Sequence, residues 1–451
     1  MATENNKILT GWGRTNPVLS SKLELPINSD WPAMLNALSS SGVVARGLGR
    51  SYNDAAQLSG GAFIDTTIWN QAKHFDPSSG ILTVEAGVSL DQIMKDFADA
   101  GFFVPVTPGT RHVTVGGAIA CDVHGKNHHK DGSFTDHVIS FDLATPNGEL
   151  TVTREENPEL FNATCGGMGL TGVILSATLR LIRIETVFMK VDTHRTRDLD
   201  EAMDLMEAED DKYRYSVAWV DSLATGSSLG RAVLTRGDHA ETGDLPGSHR
   251  KAPLEFKPKT LFSAPDLFPS GLLNSLTIKA FNELWYQKAP KKEIGAIHHS
   301  ASFFHPLDVV DNWNRIYGPR GFVQYQFVVP LGQEIVVRNS LELLAKHRSG
   351  SFLTVLKRFG KGNSGLMSFP MEGWTLALDL PVGSASLPNL FDQLDEMVIS
   401  AGGRVYLAKD ARVSKNHLKI MYPHLEEFQE VVRSVDPSRI LQSDLSRRLG
   451  I

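Results

Sequence analysis

Two glycine-rich segments constrain this chain more than anything else in it: Ala45 to Asp54, ARGLGRSYND, and Thr107 to His129, TPGTRHVTVGGAIACDVHGKNHH. Each follows a short apolar run and offers many backbone N–H groups with few side chains in the way, which suits a pyrophosphate. The common nucleotide fingerprints do not fit. A dinucleotide-binding GxGxxG opens a helix directly after a strand and has an acidic residue about 20 positions on, whereas Gly47-Leu48-Gly49 runs into Arg50-Ser51-Tyr52. There is no GxxxxGKS/T either. One glycine turn by itself only shapes the backbone; two together point to a phosphate cradle.

At 451 residues the chain is long enough for two domains with separate cores. Its formal net charge of −6 leaves no electrostatic footprint for nucleic acid. Cys121 and Cys165 are the only cysteines, so no disulfide framework is expected and a thiol-tolerant compartment is the simpler reading. The start, MATENNKILTGWGR, lacks a charged region followed by an apolar one, and no run reaches the roughly 18 apolar residues of a membrane span. The expectation is a soluble chain without signal peptide or transmembrane helix. It would be cytoplasmic or peripheral at the inner membrane, with the periplasm or cell envelope as the alternative.

Local signals in the first 185 or so residues alternate between helix and strand. Asp30 and Pro32 open a helix through Leu35 and Leu38, and Val43-Val44 form a strand feeding the first glycine turn. Ser89 and Gln92 make a capping box before Leu90, Ile93, Met94 and Phe97, and Gly101 stops that helix. Asn147-Gly148 reads as a hairpin turn, and Val173, Leu175, Ala177, Leu179 and Leu181 alternate as a half-buried strand. The fold class is α+β; the hairpins argue against a doubly wound parallel sheet. After Arg183, the runs YSVAWVD, FVQYQFVVP and WTLALDLP predict one broad antiparallel sheet with one face lining a site. Between Gly237 and Gly271, scattered prolines and charges without periodicity predict a long mobile loop. The following segment, with Leu272, Leu276, Phe281, Leu284 and Trp285 beside Lys279, Lys288, Lys291 and Lys292, reads either as a packed helix with a basic end or as an interfacial element touching lipid.

The paired glycine loops resemble those of the vanillyl-alcohol-oxidase (PCMH-type) flavoproteins. RGLGRSY, TPGTRHVTVGGAIACDVHGKNHH, YSVAW, FVQYQF, SFLTVLKRFG, GGRVYLAKDAR and DPSRILQSDLSRRL together resemble, more narrowly, the decaprenylphosphoryl-β-D-ribose 2′-oxidase family of actinobacterial cell-wall synthesis, from about Gly11 to Leu449. The resemblance implies an FAD-binding domain over residues 1–187, a substrate domain over 188–403 and a C-terminal segment, 404–451, that completes the FAD domain. It implies FAD-dependent oxidation of the ribose 2′-hydroxyl of decaprenylphosphoryl-β-D-ribose, or a related polyprenylphosphoryl ribose, to the 2′-keto sugar. A separate NAD-dependent short-chain reductase would then complete an epimerisation that yields the arabinose donor of cell-wall arabinan. Peripheral contact with a membrane would follow from the lipid-linked substrate.

Carried over residue by residue, Arg46, Gly47, Leu48, Gly49, Arg50, Ser51 and Tyr52, with Pro108, Gly109, Thr110, Val113 and Thr114, would hold the FAD diphosphate by their backbone. Gly116, Gly117, Ala120, Cys121, Gly125 and Tyr406 would line the flavin and ribityl chain, and Ile174 the adenine. Arg50 stands where relatives often carry a histidine bonded to the flavin, which implies non-covalent FAD. Tyr52, Trp219, Gln324, Gln326, Lys357 and Ala377 would meet substrate, Ala377 standing where mycobacterial members have a cysteine. Lys409, His124 and Lys126 are the catalytic candidates. Loss of a hydride from a carbinol leaves negative charge on the flavin, and Lys409 is the cation expected there.

Two rivals belong to other activities. Cys121, His124, His128 and His129 form C-x2-H-x3-H-H, a plausible zinc spacing for a hydrolase. No carboxylate or second Cys/His cluster accompanies them locally, and the preceding GGAIA explains the segment as a flavin loop, so no metal is expected. An FAD-dependent alditol or aldonolactone oxidase is the rival among flavoproteins, and a noncatalytic flavin scaffold the remaining one.

Overall fold

A computed structural model describes residues 5–451; Met1 to Glu4, part of the stretch read above for a leader, lie outside the described residues. The first half is built on two small sheets. Asn5–Leu9 and Val18–Leu23 pair antiparallel, and Ala62–Asp65 runs parallel to both Val18–Leu23 and Val43–Arg46. The second sheet is antiparallel, in the order Ala72–Asp76, Ile81–Glu85, Val173–Arg180, Val138–Thr145, Gly148–Thr153. A hairpin forms where one was expected, but its two-residue turn is Pro146-Asn147 rather than Asn147-Gly148, because Gly148 is already the first residue of the second strand, opposite Thr145. Val173–Arg180 departs from its half-buried reading: it is central in its sheet, and Ile174 and Ser176 on its supposed outer face are as buried as Leu175 and Ala177. The capping box at Ser89 is half formed. Ser89 accepts from Gln92 N, while the Gln92 side chain donates to Asn70 O instead.

The second half carries the predicted broad antiparallel sheet, of eight strands in the order Lys292–His299, Phe188–Thr196, Ala232–His239, Tyr215–Val220, Thr354–Phe359, Gly373–Pro381, Phe322–Pro330, Arg404–Val405. Its strands obey the two-residue period, and the two faces have different fates. Ala218, Val220, Leu356, Leu376, Leu378, Tyr325 and Phe327 pack in a core with the helices Leu199–Glu209, Glu334–Lys346 and Leu387–Ser400. Val217, Trp219, Val355, Lys357, Ala377, Gln324 and Gln326 point the other way, into a cavity shared with the first half. The polar positions of these strands therefore face a site rather than bulk water.

Arg404–Val405 belongs to this sheet, paired with Val328 and Phe327, so the return of the chain toward the first half begins after Val405. It is secured where Gln442 N donates to Val43 O and Val43 N to Ile440 O. The stretch expected as a mobile loop from Gly237 begins inside the strand Ala232–His239, and Leu245, Phe256 and Ala264 in it are buried. Its apolar residues dock one at a time between prolines, which is why no periodicity betrays them. The helix Ser275–Lys288 buries only Ile278 and Asn282, while Leu276 and Leu284 are 76% and 72% exposed.

Candidate active site

The first glycine turn leaves the strand Val43–Arg46 and passes Thr114 at the head of the short helix Val115–Ala120. A Cβ on Gly47 would fall 2.3 Å from Thr114 Oγ1, so only glycine lets the two loops close on each other. Gly49 has φ +64°, a left-handed conformation that completes the turn. The backbone N–H groups of Leu48, Gly49, Arg50 and Ser51 have no acceptor among the described residues, and neither do those of Gly109 and Thr110 in the second loop. Unpaired amide donors converging from two loops are what an anionic diphosphate requires.

The second loop is braced from outside. Asp308 accepts from Thr110 Oγ1 at 2.8 Å and Arg111 N at 2.9 Å, while Arg111 Nε donates to Asp91 at 2.6 Å. No local signal around Asp308 marks it as part of the cradle, because the link spans some 200 positions. Arg46, expected at the diphosphate through its backbone, does not line the cavity that its neighbours Gly47 to Tyr52 line. Its side chain points away from the cavity, donating to Ala56 O and Thr10 O, and thereby supports the turn from behind. All the other residues expected at cofactor or substrate line one cavity of about 680 Å³. Phe281 and Trp285 of the helix Ser275–Lys288 form part of its mouth. No motif assigns them there.

Toward the broad sheet, His124 sits between Phe359 and Tyr406, with ring centroids at 4.8 and 5.3 Å. Gln326 Nε2 donates to Thr375 Oγ1 and lies 2.9 Å from His124 Nε2, which leaves the histidine proton on Nδ1. That Nδ1 is buried and has no hydrogen-bond partner among the described residues. Burial, then Lys357, His128 and Lys409, holds the ring far below its ordinary pKa, so it is neutral. Lys126 donates to Phe303 O and lies 4.3 Å over the Phe303 ring. Burial lowers its ammonium to about 7, and burial with Lys409 and Lys126 nearby does the same to Lys357. Lys409 Nζ stands 3.8 Å over the Tyr52 ring, and its own backbone carbonyl is held by Asn53 Nδ2. Burial lowers Lys409 to about 8, against the pull of Asp379. Tyr406 reaches the same floor through its hydroxyl, which donates to Cys121 O at 2.8 Å.

The zinc arrangement does not assemble. His129 Nε2 bonds the carbonyl of Tyr213 at 3.0 Å and the His128 ring packs on Phe359 at 4.5 Å. The Cys121 thiol is pushed up to about 11 by burial and its sulfur lies 3.9 Å from Ser51 Oγ. Among the described residues no three His, Cys, Asp or Glu side chains converge as a metal site.

The residues present fit a flavin dinucleotide: free amide donors at one end, an orphaned histidine nitrogen and three lysines at the other. The FAD binding domain family matches residues 34–154, and the D-arabinono-1,4-lactone oxidase family matches residues 379–449. A decaprenylphosphoryl-β-D-ribose oxidase from Mycolicibacterium smegmatis is 44% identical over 456 aligned residues, 99% of this chain and 98% of the relative. An uncharacterised Streptomyces coelicolor protein is 39% identical over 81% of this chain and 100% of its own length. L-gulonolactone oxidase 3 of Arabidopsis thaliana is 21% identical over 85% of this chain and 72% of its own. A glycine cradle joined to a lysine- and glutamine-walled cavity, with similarity running end to end, identifies the chain as an FAD-dependent oxidoreductase belonging to the decaprenylphosphoryl-β-D-ribose oxidase family.

Proposed function

We propose that this chain oxidises the 2′-hydroxyl of decaprenylphosphoryl-β-D-ribose, or of a closely related polyprenylphosphoryl ribose, to the 2′-keto sugar, using non-covalent FAD. The observation that carries the reading is the make-up of one continuous cavity. It has amide donors at one end, Lys126, Lys357, Lys409, Gln324 and Gln326 in the middle, and Phe281 and Trp285 at the mouth. A relative aligned over nearly all of both chains is named a decaprenylphosphoryl-β-D-ribose oxidase, which supports the substrate class.

Bound FAD supplies the hydride acceptor. Lys357 and Lys126 draw in the phosphodiester; burial has already loosened their protons, and an incoming anion restores the charge. Gln324 and Gln326 hold the ribose hydroxyls in a fixed orientation. Lys409 maintains positive charge beside Tyr52, where electron density accumulates in the transition state. Arg50 stacks on Trp12 at 3.8 Å, and the cavity offers no thiolate, which supports a dissociable cofactor.

The ketone needs a separate hydride donor to become the arabinose epimer, and we assign that step to an NAD-dependent short-chain reductase. No helix among the described residues is long and apolar enough to cross a membrane. We place the chain at a membrane surface through Ser275–Lys288: between Arg250 and Lys292 there are eight basic and three acidic residues in a chain of net charge −6. Anaerobic mixing with polyprenylphosphoryl ribose should bleach the flavin absorbance. The C-terminal match to a lactone oxidase family supports a second reading, in which an aldonolactone or alditol bleaches it and the lipid-linked ribose does not.

A further inference from the structure

No carboxylate lines the cavity among the described residues, yet one stands directly behind its wall. Asp379 lies on the strand Gly373–Pro381, on the same face as Ala377 and directly opposite Gln324 in the antiparallel register. It is fully buried, and among the described residues no cation comes within ion-pair distance of it. Its Oδ1 accepts from Gln324 Nε2, its Oδ2 lies 3.5 Å from the Tyr317 hydroxyl, and its backbone N–H donates to Ser351 Oγ. Tyr317 is itself fixed by stacking on Phe322 at 4.1 Å, and Tyr52 meets Phe322 edge-on. The titratable groups facing Asp379 are Tyr317, Tyr52 and Lys409, the last being the cation whose field it feels.

A carboxylate only accepts hydrogen bonds, so its pairing with Gln324 decides which end of that amide faces the cavity. With Nε2 committed to Asp379, the Gln324 carbonyl is left for the ligand, an acceptor suited to a sugar O–H. We propose that Asp379 is a positioning residue for the oxidation: it turns the Gln324 carbonyl toward the reacting hydroxyl and supplies the counter-charge to Lys409. The inference rests on the reading of the site as a sugar-oxidising one. Burial raises the Asp379 carboxyl to about 7, Gln324, Lys409 and Tyr317 opposing it, so its charge is marginal near neutrality. Protonation would free the Gln324 amide to rotate, so the reduction step should slow as pH falls through about 7.

A buried, unpaired carboxylate costs stability, and the sign of the linkage follows. As pH rises from about 4 to about 7 the unfolded chain releases this proton before the folded one does, so stability falls across that window. Asp379→Asn retains an acceptor for Gln324 but removes the charge. In flavin-replete protein at pH 8 and saturating polyprenylphosphoryl ribose, we expect reduction at least ~10-fold slower than in the parent, a flat profile between about pH 6 and 8.5, and an unchanged or higher Tm. Independently of any substrate, the midpoint potential of the bound flavin should be more negative than the parent's, because Lys409 loses charge. Should Asp379→Asn fail to fold, Gln324→Leu decides: removing a donor that favours the charged carboxylate should move the acid limb of flavin reduction to higher pH. A reduction rate within about two-fold of the parent, with the same acid limb and the same potential, overturns the proposal. If the parent itself is not bleached by polyprenylphosphoryl ribose, the substrate is wrong, and the potential comparison still decides the role of Asp379.

Discussion

Three lysines approach one cavity from three separate parts of the chain, and their low proton affinities give them different duties. Lys409 faces Tyr52 and the field of Asp379, which keeps it charged longest. Lys409→Met should retain FAD and fold but slow single-turnover flavin reduction by about 10²-fold, the scale of losing one preorganised electrostatic partner. Near-normal reduction would shift that role to His124 or Lys126. Lys357 and Lys126 are proposed to serve binding instead. Their ammonium groups, lowered to about 7, are lost in the free protein as pH rises, so KM for the phosphodiester should climb above neutrality. Lys357→Met should raise KM about ten-fold at pH 7 and flatten its rise with pH, with the reduction rate at saturation changed much less.

The helix Ser275–Lys288 departs from ordinary helix packing. Its Asn274 cap and fourteen residues are well formed, yet its apolar positions divide between the cavity mouth, at Phe281 and Trp285, and open surface, at Leu276 and Leu284. An element that leaves leucines uncovered beside the mouth of the cavity suits a lipid surface. Replacing both Leu276 and Leu284 with Glu should weaken sedimentation with anionic vesicles by about ten-fold or more, given ~1.5–3 kcal/mol for each buried leucine. Flavin reduction by a short-chain, water-soluble analogue should be unaffected. Equal vesicle binding by the double variant would remove the lipid role.

Across the whole molecule, the C-terminal segment ties the site together. Arg448 bridges Asp54, just past the first glycine turn, to Asp410, next to Lys409, with both contacts at 2.7 Å. Tyr52 N donates to Ala408 O in the same region. Arg448→Ala leaves two largely buried carboxylates without their cation and should cost about 3 kcal/mol, seen as a lower Tm and faster loss of FAD on dilution. Unchanged cofactor retention would mean that the two segments hold their places without it.

What could be read from the residues alone follows from short-range physics. Glycines at Gly47 and Gly49 advertise a turn whatever surrounds them, a hairpin near Asn147 is legible to within one residue, and the alternation in FVQYQFVVP already separates Gln324 and Gln326 from Tyr325 and Phe327. The resemblance then assigned nearly every cavity residue. Contacts across long separations were illegible, since no local pattern encodes them. Arg46 faces away from the phosphate cradle because Thr10 and Ala56 offer it carbonyls, and Asp308 braces Thr110 from about 200 positions away. The first five residues of Val173–Arg180 are buried on both faces only because two strands flank the strand and both faces are covered there, and Asp379 gains meaning only opposite Gln324. Periodicity reports how a side chain is oriented on its own element; which group it meets there is decided when the sheets, loops and the returning C-terminus close around a common cavity.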